Sequence, residues 1–389
     1  MRTIVLHLII YVSILFVWML EGCRQETEGN LPEGFPFKSA TSKGWGVMDF
    51  SGRRVVPDGT YAFCPSAVVN GMFTVPDGNG TVGLYTVQHP SRPVSCGRYA
   101  QIGYFFESVA MARLQTGGPL CIIDKRGEIV AMLNYYPDYR VVMAHNFSEG
   151  RALVGTDRGK FGFVDTNGKL VVPPVYDFAA DYGNGRALVG KADAEGRLGF
   201  FVIDLHGNIR ATLRQVWCSF DTAFGSDRLV CRFSSGCYGT LDEEGEACFT
   251  LPDSILSLSR FRQGRAVARS RSGCCLIGAD GQAVMPASYR QIELLNADRM
   301  ALRGEKGWFL ADKSGRKIAN LEACPLFLTG RGGLMPSDGR MAVVRPDGDV
   351  FVVVDSARVS AQALHRKPEV FVRTSSLQET EAEAAVQEP

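Results

Sequence analysis

Hydrophobic positions in this chain alternate over short distances and are interrupted by turns. Residues 159–177, GKFGFVDTNGKLVVPPVYD, illustrate the pattern. They predict a strand with Phe161 and Phe163 on one face, a tight turn from Asp165 to Gly168, and a second strand over 169–172 that a proline pair ends. Other apolar runs are equally short and rich in Val, Phe, Ile and Tyr, whereas helical periodicity is rare. The pattern predicts an all-β protein.

The strand–turn–strand pattern recurs along the chain. Clear copies lie at 44–56, 120–130, 160–172, 200–210, 237–249 and 308–318, and weaker ones at 81–94, 273–285 and 349–359. A second marker, a short turn followed by a strand, precedes most hairpins, as in FSEGRALV (147–154) and YGNGRALV (182–189). The copies are spaced mostly 34 to 41 residues apart. This period predicts a repeat architecture of about eight units, with a weaker ninth copy near the end.

Each clear hairpin places an aspartate three residues before a glycine. The turn residues are Asp49 and Gly52, Asp124 and Gly127, Asp165 and Gly168, Asp204 and Gly207, Asp242 and Gly245, and Asp312 and Gly315. An aspartate that begins a type I turn accepts backbone N–H bonds, and a left-handed glycine completes a three-residue hairpin with a bulge. We therefore interpret these residues as structural and predict no metal site and no catalytic carboxylate.

Two sets of side chains are candidates for binding. One arginine recurs at a fixed register, at positions 151, 186, 228, 265, 299 and 340, and Arg151, Arg186 and Arg265 fit the pattern best. These arginines could form a ladder for an anionic polymer, bridge neighbouring units, or remain solvated. The second set is Tyr135, Tyr136 and Tyr139 in LNYYPDYRVVMAHN (133–146), which form either an aromatic contact surface or a packed strand.

The sequence around Trp45-Gly46, together with the copy GFVDTNGKLVVPPVYD, resembles the WG-repeat family. The resemblance extends from residue 43 to about 355, although other copies have lost the tryptophan or the glycine. It implies a non-catalytic β-repeat module with no catalytic residues to transfer. A single unit of about 40 residues buries too little surface to fold alone, so units must stack. We favour a β-propeller-like ring and keep a superhelical β-solenoid as the alternative.

The first residues resemble a bacterial lipoprotein leader. Met1-Arg2-Thr3 precedes an apolar run over 4–20, and Leu20-Glu21-Gly22-Cys23 resembles a lipobox. The resemblance implies cleavage after residue 22, lipidation of Cys23 and an outer-membrane location, whereas an uncleaved anchor is the alternative. We divide the chain into the signal peptide (1–22), a tether (23–42), the repeat domain (43–355) and a partly disordered C-terminal tail (356–389).

Charge, cysteine spacing and motifs narrow the range of possible functions. The 42 basic and 41 acidic residues nearly cancel, so we expect no nucleic-acid partner. The ten cysteines after Cys23 form no CxxC pair, and both buried thiols and disulfides remain open. No hydrolase or metalloprotease motif appears. We therefore expect a binding or scaffold module without a cofactor, for a protein, peptide or glycan. The alternative is an envelope hydrolase or carbohydrate-active enzyme on the same fold.

Overall fold

The computed structural model describes fifteen segments of the chain. They are residues 33–37, 43–49, 53–115, 117–133, 136–213, 216–217, 224–225, 228–242, 244–262, 264–294, 299–320, 324–327, 340–344, 350–355 and 371–372. All regular secondary structure within these segments is β-strand, which confirms the predicted all-β class. No helix in this part of the chain is long and apolar enough to cross a membrane.

The described strands fall into nine repeats, and the first three repeats contain three strands each. Repeat 1 consists of β1 (Gly34–Phe37), β2 (Trp45–Asp49) and β3 (Arg54–Tyr61). Repeat 2 consists of β4 (Met72–Pro76), β5 (Val82–Thr86) and β6 (Ser95–Ile102). Repeat 3 consists of β7 (Val109–Leu114), β8 (Leu120–Asp124) and β9 (Ile129–Met132). Repeats 2 and 3 share one six-stranded sheet because β6 also pairs with β7.

Repeats 4 to 6 contain four or five strands each. Repeat 4 consists of β10 (Val141–Ala144), β11 (Arg151–Thr156), β12 (Phe161–Asp165) and β13 (Leu170–Tyr176). Repeat 5 consists of β14 (Phe178–Ala179), β15 (Arg186–Ala192), β16 (Leu198–Asp204) and β17 (Ile209–Leu213). Repeat 6 consists of β18 (Val216–Trp217), β19 (Phe224–Gly225), β20 (Arg228–Phe233), β21 (Tyr238–Leu241) and β22 (Ala247–Thr250). Neighbouring strands within each of these repeats are antiparallel.

The last three repeats and one additional strand complete the described chain. Repeat 7 consists of β23 (Ile255–Leu258), β24 (Arg265–Ser270), β25 (Gly273–Gly278) and β26 (Ala283–Tyr289). Repeat 8 consists of β27 (Gln291–Leu294), β28 (Arg299–Gly304), β29 (Gly307–Asp312) and β30 (Lys317–Asn320). Repeat 9 consists of β31 (Cys324–Phe327), β32 (Arg340–Val344) and β33 (Val350–Asp355), with β31 parallel to β32. Strand β34 (Phe371–Val372) comes from the C-terminal tail and pairs with β10.

The hydrophobic core lies between successive repeats. In β11, Ala152 and Val154 join a cluster shared with repeat 3, whereas Leu153 joins a cluster shared with repeat 5. Because strand side chains alternate between faces, both faces of the repeat 4 sheet are buried. Fully burying one such aliphatic side chain contributes about 1.5–3 kcal/mol. The repeats therefore depend on one another for stability, and this succession of small stacked antiparallel sheets is β-propeller-like.

The proline pair does not end its strand, so this detail of the sequence prediction was wrong. Strand β13 runs through Pro173 and Pro174 to Tyr176. Its pairing with β12 changes register between Phe161 and Phe163, which is a bulge. A bulge leaves residues without ladder hydrogen bonds, and proline tolerates that position because it has no N–H to donate. The same bulge accompanies a proline in repeats 1 and 7.

The glycine of the WG pair lies against the bulge on the facing strand in repeats 1 and 4. A Cβ at Gly162 would lie 2.4 Å from the carbonyl oxygen of Val172, and one at Gly46 would lie 2.5 Å from that of Val56. Real Cβ contacts are never so short, so the backbones approach closely only because the side chain is absent. Cys121 stands at the equivalent position of repeat 3, where β8 and β9 pair without this bulge. Repeat 7 has the bulge with Cys275 at this position, so the glycine allows the closest approach but is not required for the bulge.

Candidate interaction surfaces and a buried polar pair

The turn aspartates accept hydrogen bonds from the backbone of their own hairpins. The Oδ1 atom of Asp165 accepts the backbone N–H groups of Asn167 and Lys169, both at 2.9 Å. Gly168 has a φ of 77° and donates to the Asp165 carbonyl at 3.0 Å, which gives the predicted turn with its bulge. Equivalent bonds to Oδ1 form at Asp49, Asp124, Asp204, Asp242 and Asp312. Gly52, Tyr135 and Cys23 lie outside the described residues.

Asp204 is the most strongly perturbed of these carboxyl groups. Burial opposes its ionisation, but hydrogen bonds from Asn208 and His206 and the positive charge of Arg210 outweigh burial and lower its pKa to about 2. The Arg210 Nε atom lies 3.0 Å from Asp204 Oδ2. Each of these contacts stabilises the turn that carries the carboxylate. Among the described residues, no group of three or more His, Cys, Asp or Glu side chains could hold a metal ion.

The turn glycines have a second function that the sequence analysis missed. A Cβ on Gly168 would lie 2.4 Å from Ala131 Cβ in repeat 3, and one on Gly207 would lie 2.9 Å from Val172 in repeat 4. Each hairpin tip therefore packs directly against the last strand of the preceding repeat. Gly127, Gly245, Gly281 and Gly315 make similarly close approaches. Glycine is required at this position both for its φ and for the contact between repeats.

A row of two-residue turns links successive repeats. In repeat 4, Glu149 and Gly150 have φ values of 52° and 73°, and Ser148 and Arg151 exchange two backbone hydrogen bonds around them. Positive φ at both central residues defines a type I′ turn. The Glu149 carboxylate accepts the N–H of Gly185 in repeat 5 at 2.8 Å. Glu33 accepts from Gly71 in the same way between repeats 1 and 2.

Three of the register arginines, Arg151, Arg186 and Arg265, follow such turns. All six begin a strand, namely β11, β15, β20, β24, β28 and β32. Arg151 is half-buried, and its Nε atom donates to the carbonyl of Leu205 in repeat 5 at 3.1 Å. Arg186 is also half-buried and donates to the Gly185 carbonyl at 3.2 Å. Arg265 is half-buried at the start of β24. For Arg151, this contact matches the alternative in which the arginine bridges neighbouring repeats.

Tyr136 and Tyr139 stack on each other in the connection between repeats 3 and 4. Their ring centroids are 5.1 Å apart with an interplanar angle of 23°. Tyr136 packs against the core cluster of repeats 3 and 4, and its hydroxyl donates to the Gly168 carbonyl at 3.3 Å. Burial raises the pKa of both phenols. Both rings are half-buried, so this pair combines packing with a partly accessible aromatic surface.

A buried polar pair joins repeats 4 and 5, and sequence reasoning did not find it. His145 Nδ1 lies 2.9 Å from both carboxylate oxygens of Asp181, and both residues are about 5% exposed or less. Within the described part of the chain, His145 Nε2 and both amide atoms of Asn146 are buried without a hydrogen-bond partner. Ordered water commonly satisfies such groups. In repeat 5, Ala180 and Asp181 take the places of His145 and Asn146, so no periodic signal marks the pair.

Exposed aliphatic side chains recur on the last strands of the repeats. Val130 on β9, Ile209 on β17, Val284 on β26 and Ile318 on β30 are 43%, 56%, 49% and 45% exposed, and we call these four residues the rim row. Each strand is the terminal strand of its sheet, and its outer edge is unpaired among the described residues. Val175 on β13 is exposed to a similar degree. The sequence predicted these strands but not which of their apolar residues would face solvent.

Eight cysteines of the described segments are free thiols. Cys121, Cys231, Cys274 and Cys275 are buried, while Cys96 and Cys248 are exposed. Burial raises the pKa of Cys121 and of Cys231 to about 12. These two thiols therefore stay protonated at neutral pH and pack as small apolar groups.

Comparison with known proteins places the hairpin unit in a family. Residues 161–193, which include the β12–β13 hairpin, match the model described as "WG containing repeat". This segment is therefore similar to a WG repeat. No curated protein matches its sequence.

Several solved structures resemble this chain in architecture. BamB from Moraxella catarrhalis is 15% identical, with 74% of this chain and 85% of BamB covered and a TM-score of 0.37. The C-terminal WD40 domain of Sif2 is 9% identical, with 82% and 92% covered and a TM-score of 0.38. A Bacteroides caccae protein of unknown function is 12% identical, with 52% and 89% covered and a TM-score of 0.25. At these values the likeness says nothing about function.

Proposed function

We propose that this protein is a non-catalytic binding or scaffold module of the bacterial envelope, attached to the outer membrane by a lipid on Cys23. Its partner is a protein or peptide, with a glycan as the less favoured ligand. Aliphatic side chains give contact area to another protein, whereas they offer no hydrogen bonds to sugar hydroxyls.

The rim row carries this proposal. Its exposed side chains lie on terminal strands, and unpaired edges with apolar side chains readily associate with another chain unless they are blunted by charge or covered. The four residues come from four different repeats, so a partner that contacts several of them gains area with each added repeat. Repeated charged residues are a weaker basis for binding, because Arg151 is engaged in bridging two repeats.

Site-specific photocrosslinking in cells tests the rim row. A photoreactive amino acid replaces Ile209 or Val284 in the full-length protein, and Leu256 serves as the matched control because it is 50% exposed but lies on β23, the first strand of its repeat. We expect discrete crosslinked bands at Ile209 and Val284 that are absent at Leu256. Crosslinking at all three positions alike, or at none, contradicts the rim row as the binding surface.

The envelope location has a separate test. We expect Cys23→Ala to abolish incorporation of labelled fatty acid and to move the protein out of the outer-membrane fraction. Labelling that persists in this variant contradicts the proposed anchor.

One observation favours the enzyme alternative, namely the His145–Asp181 pair. An aspartate that orients a histidine is an element of many hydrolase sites. A general base must also reach the substrate proton, directly or through one water. His145 is only 4% exposed, and its neighbour Ser148 donates its hydroxyl to the Tyr182 carbonyl at 2.7 Å. We therefore assign the pair to the joint between repeats rather than to catalysis.

A further inference from the structure

The sheet of repeat 4 is extended by a strand from beyond the repeats. Strand β34 pairs antiparallel with β10, with Val372 opposite Met143 and Phe371 opposite Ala144. This gives a five-stranded sheet in the order β13-β12-β11-β10-β34. In the described parts of repeats 5, 7 and 8, the first strand ends the sheet with no strand added. Repeat 4 thus differs from them by having its first edge covered.

The composition of β10 leaves its edge free to accept a strand. Its four residues, VVMA, include no charged side chain and no proline, the two devices that commonly protect a sheet edge. The first strand of repeat 8, QIEL, carries Glu293, whereas those of repeats 5 and 7, FA and ILSL, lack charge and proline as β10 does. In the tail, Val370, Phe371 and Val372 form a short apolar run between Glu369 and Arg373. A short apolar segment with β-forming residues is suited to such an edge.

The pairing is short, which makes it exchangeable. Two residues of β34 take part, and each backbone hydrogen bond contributes a net of about 0.5–1.5 kcal/mol. Fixing the backbone of each residue costs about 1–2 kcal/mol, so the gain and the cost nearly balance. The fifteen residues between Asp355 and Phe371 (371 − 355 − 1) span at most about 50 Å when extended. Covalent attachment therefore keeps the segment near its edge.

We propose that the β10 edge is a binding site for an extended apolar peptide, which adds to the sheet as a strand, and that Phe371–Val372 is its intramolecular occupant. Strand addition supplies backbone hydrogen bonds for affinity, while side chains at alternate positions select the sequence. The ligand is a peptide with adjacent bulky apolar residues, as in Glu-Val-Phe-Val-Arg, and it competes with the tail. This edge is distinct from the rim row, and the two proposals are tested separately.

The test compares three full-length chains, namely the wild type, a variant with Phe371→Pro and Val372→Pro, and a control with Thr374→Pro. Proline has no backbone N–H, so prolines at both paired positions remove the donors of β34 that can bond to β10. The control adds a proline outside the paired residues. The probe is a fluorescein-labelled synthetic peptide, RKPEVFVRTSS, which corresponds to residues 366–376. Because the gain and the cost nearly balance, the tail occupies the edge only part of the time, and we expect fluorescence anisotropy to show about twofold tighter binding to the double-proline variant than to the other two chains. A probe with both prolines should not bind.

Two outcomes overturn the proposal. Equal peptide affinity for all three chains means that the tail does not occupy the site. No binding to the double-proline variant, together with a lower melting temperature, means that β34 is a fixed structural strand. Neither outcome bears on crosslinking at Ile209, so failure here is distinguishable from failure of the rim row.

Discussion

At the scale of single residues, the joint between repeats 4 and 5 depends on a buried polar pair. Asp181 is 5% exposed, and both of its carboxylate oxygens lie within hydrogen-bond distance of His145 Nδ1. Removing one partner of a buried pair leaves the other uncompensated, whereas replacing both by apolar groups is often close to neutral. Replacing one of the two residues should therefore destabilise the joint, whereas replacing both should be tolerated.

His145→Leu should therefore destabilise the protein more than the double variant does. We expect the single substitution to lower the free energy of unfolding by about 3–5 kcal/mol, because it leaves the Asp181 carboxylate buried and unpaired. His145→Leu combined with Asp181→Leu should recover most of this loss. Urea denaturation of the three proteins measures the difference. Equal destabilisation in both variants would show that lost packing, rather than the unpaired charge, sets the cost.

The pKa of Asp204 predicts a pH dependence for its turn. The folded-state pKa is lowered to about 2, below an unfolded value of about 3.9. The contribution of the ionised carboxylate is therefore present above about pH 4 and is lost as the pH falls towards 2. Asp204→Asn should cost about 2 kcal/mol at pH 7, from lost charged hydrogen bonds. Urea denaturation should give a smaller difference from the wild type at pH 3, and an equal difference at both pH values contradicts this role.

At the scale of elements, local chemistry was predictable and contacts between repeats were not. Aspartate and glycine at fixed spacing specify the hairpin by themselves, so the turn at Asp165 and Gly168 could be predicted from the sequence. Pro173 was misinterpreted because a proline normally ends a strand, and only pairing with β12 reveals a bulge. The packing of Gly168 on Ala131 and the pairing of His145 with Asp181 join different repeats. No local pattern encodes such contacts.

The contact between hairpin tips and neighbouring repeats has a matched test. Gly168 and Gly196 both have a φ of 77°, but a Cβ at Gly168 would lie 2.4 Å from Ala131 Cβ, whereas one at Gly196 meets nothing within 4 Å. Gly196→Ala should cost about 1 kcal/mol from backbone strain alone. Gly168→Ala should cost an additional 1–3 kcal/mol or so from overpacking. Thermal and urea unfolding compare the two variants, and equal losses would mean that the hairpin tip does not constrain the stacking.

At the scale of the whole molecule, stability spreads along the stack. Each described sheet from repeat 2 to repeat 7 contributes to hydrophobic clusters on both sides, so no repeat has a core of its own. Such chains behave as nearest-neighbour arrays in which the interfaces hold much of the stability. Turn bonds such as Glu149 to Gly185 add to these interfaces. The part of each unit that recurs along the chain thus serves the scaffold, which leaves the rim row and the β10 edge for partners.

The arginine ladder is also a property of the whole molecule, and salt dependence tests it. A ladder that binds an anionic polymer releases counterions, so retention should fall steeply with salt concentration. The formal net charge is only +1, and Arg151 donates to Leu205 in the next repeat. We therefore expect the protein to elute from an immobilised anionic polymer at low salt, with little change on Arg151→Ala, Arg186→Ala and Arg265→Ala together. The triple variant should instead unfold at lower temperature, because the bridge from Arg151 to Leu205 is lost. The opposite result would be strong retention that only high salt reverses. If this retention disappeared in the triple variant while the melting temperature stayed the same, the ladder would be established as a binding surface.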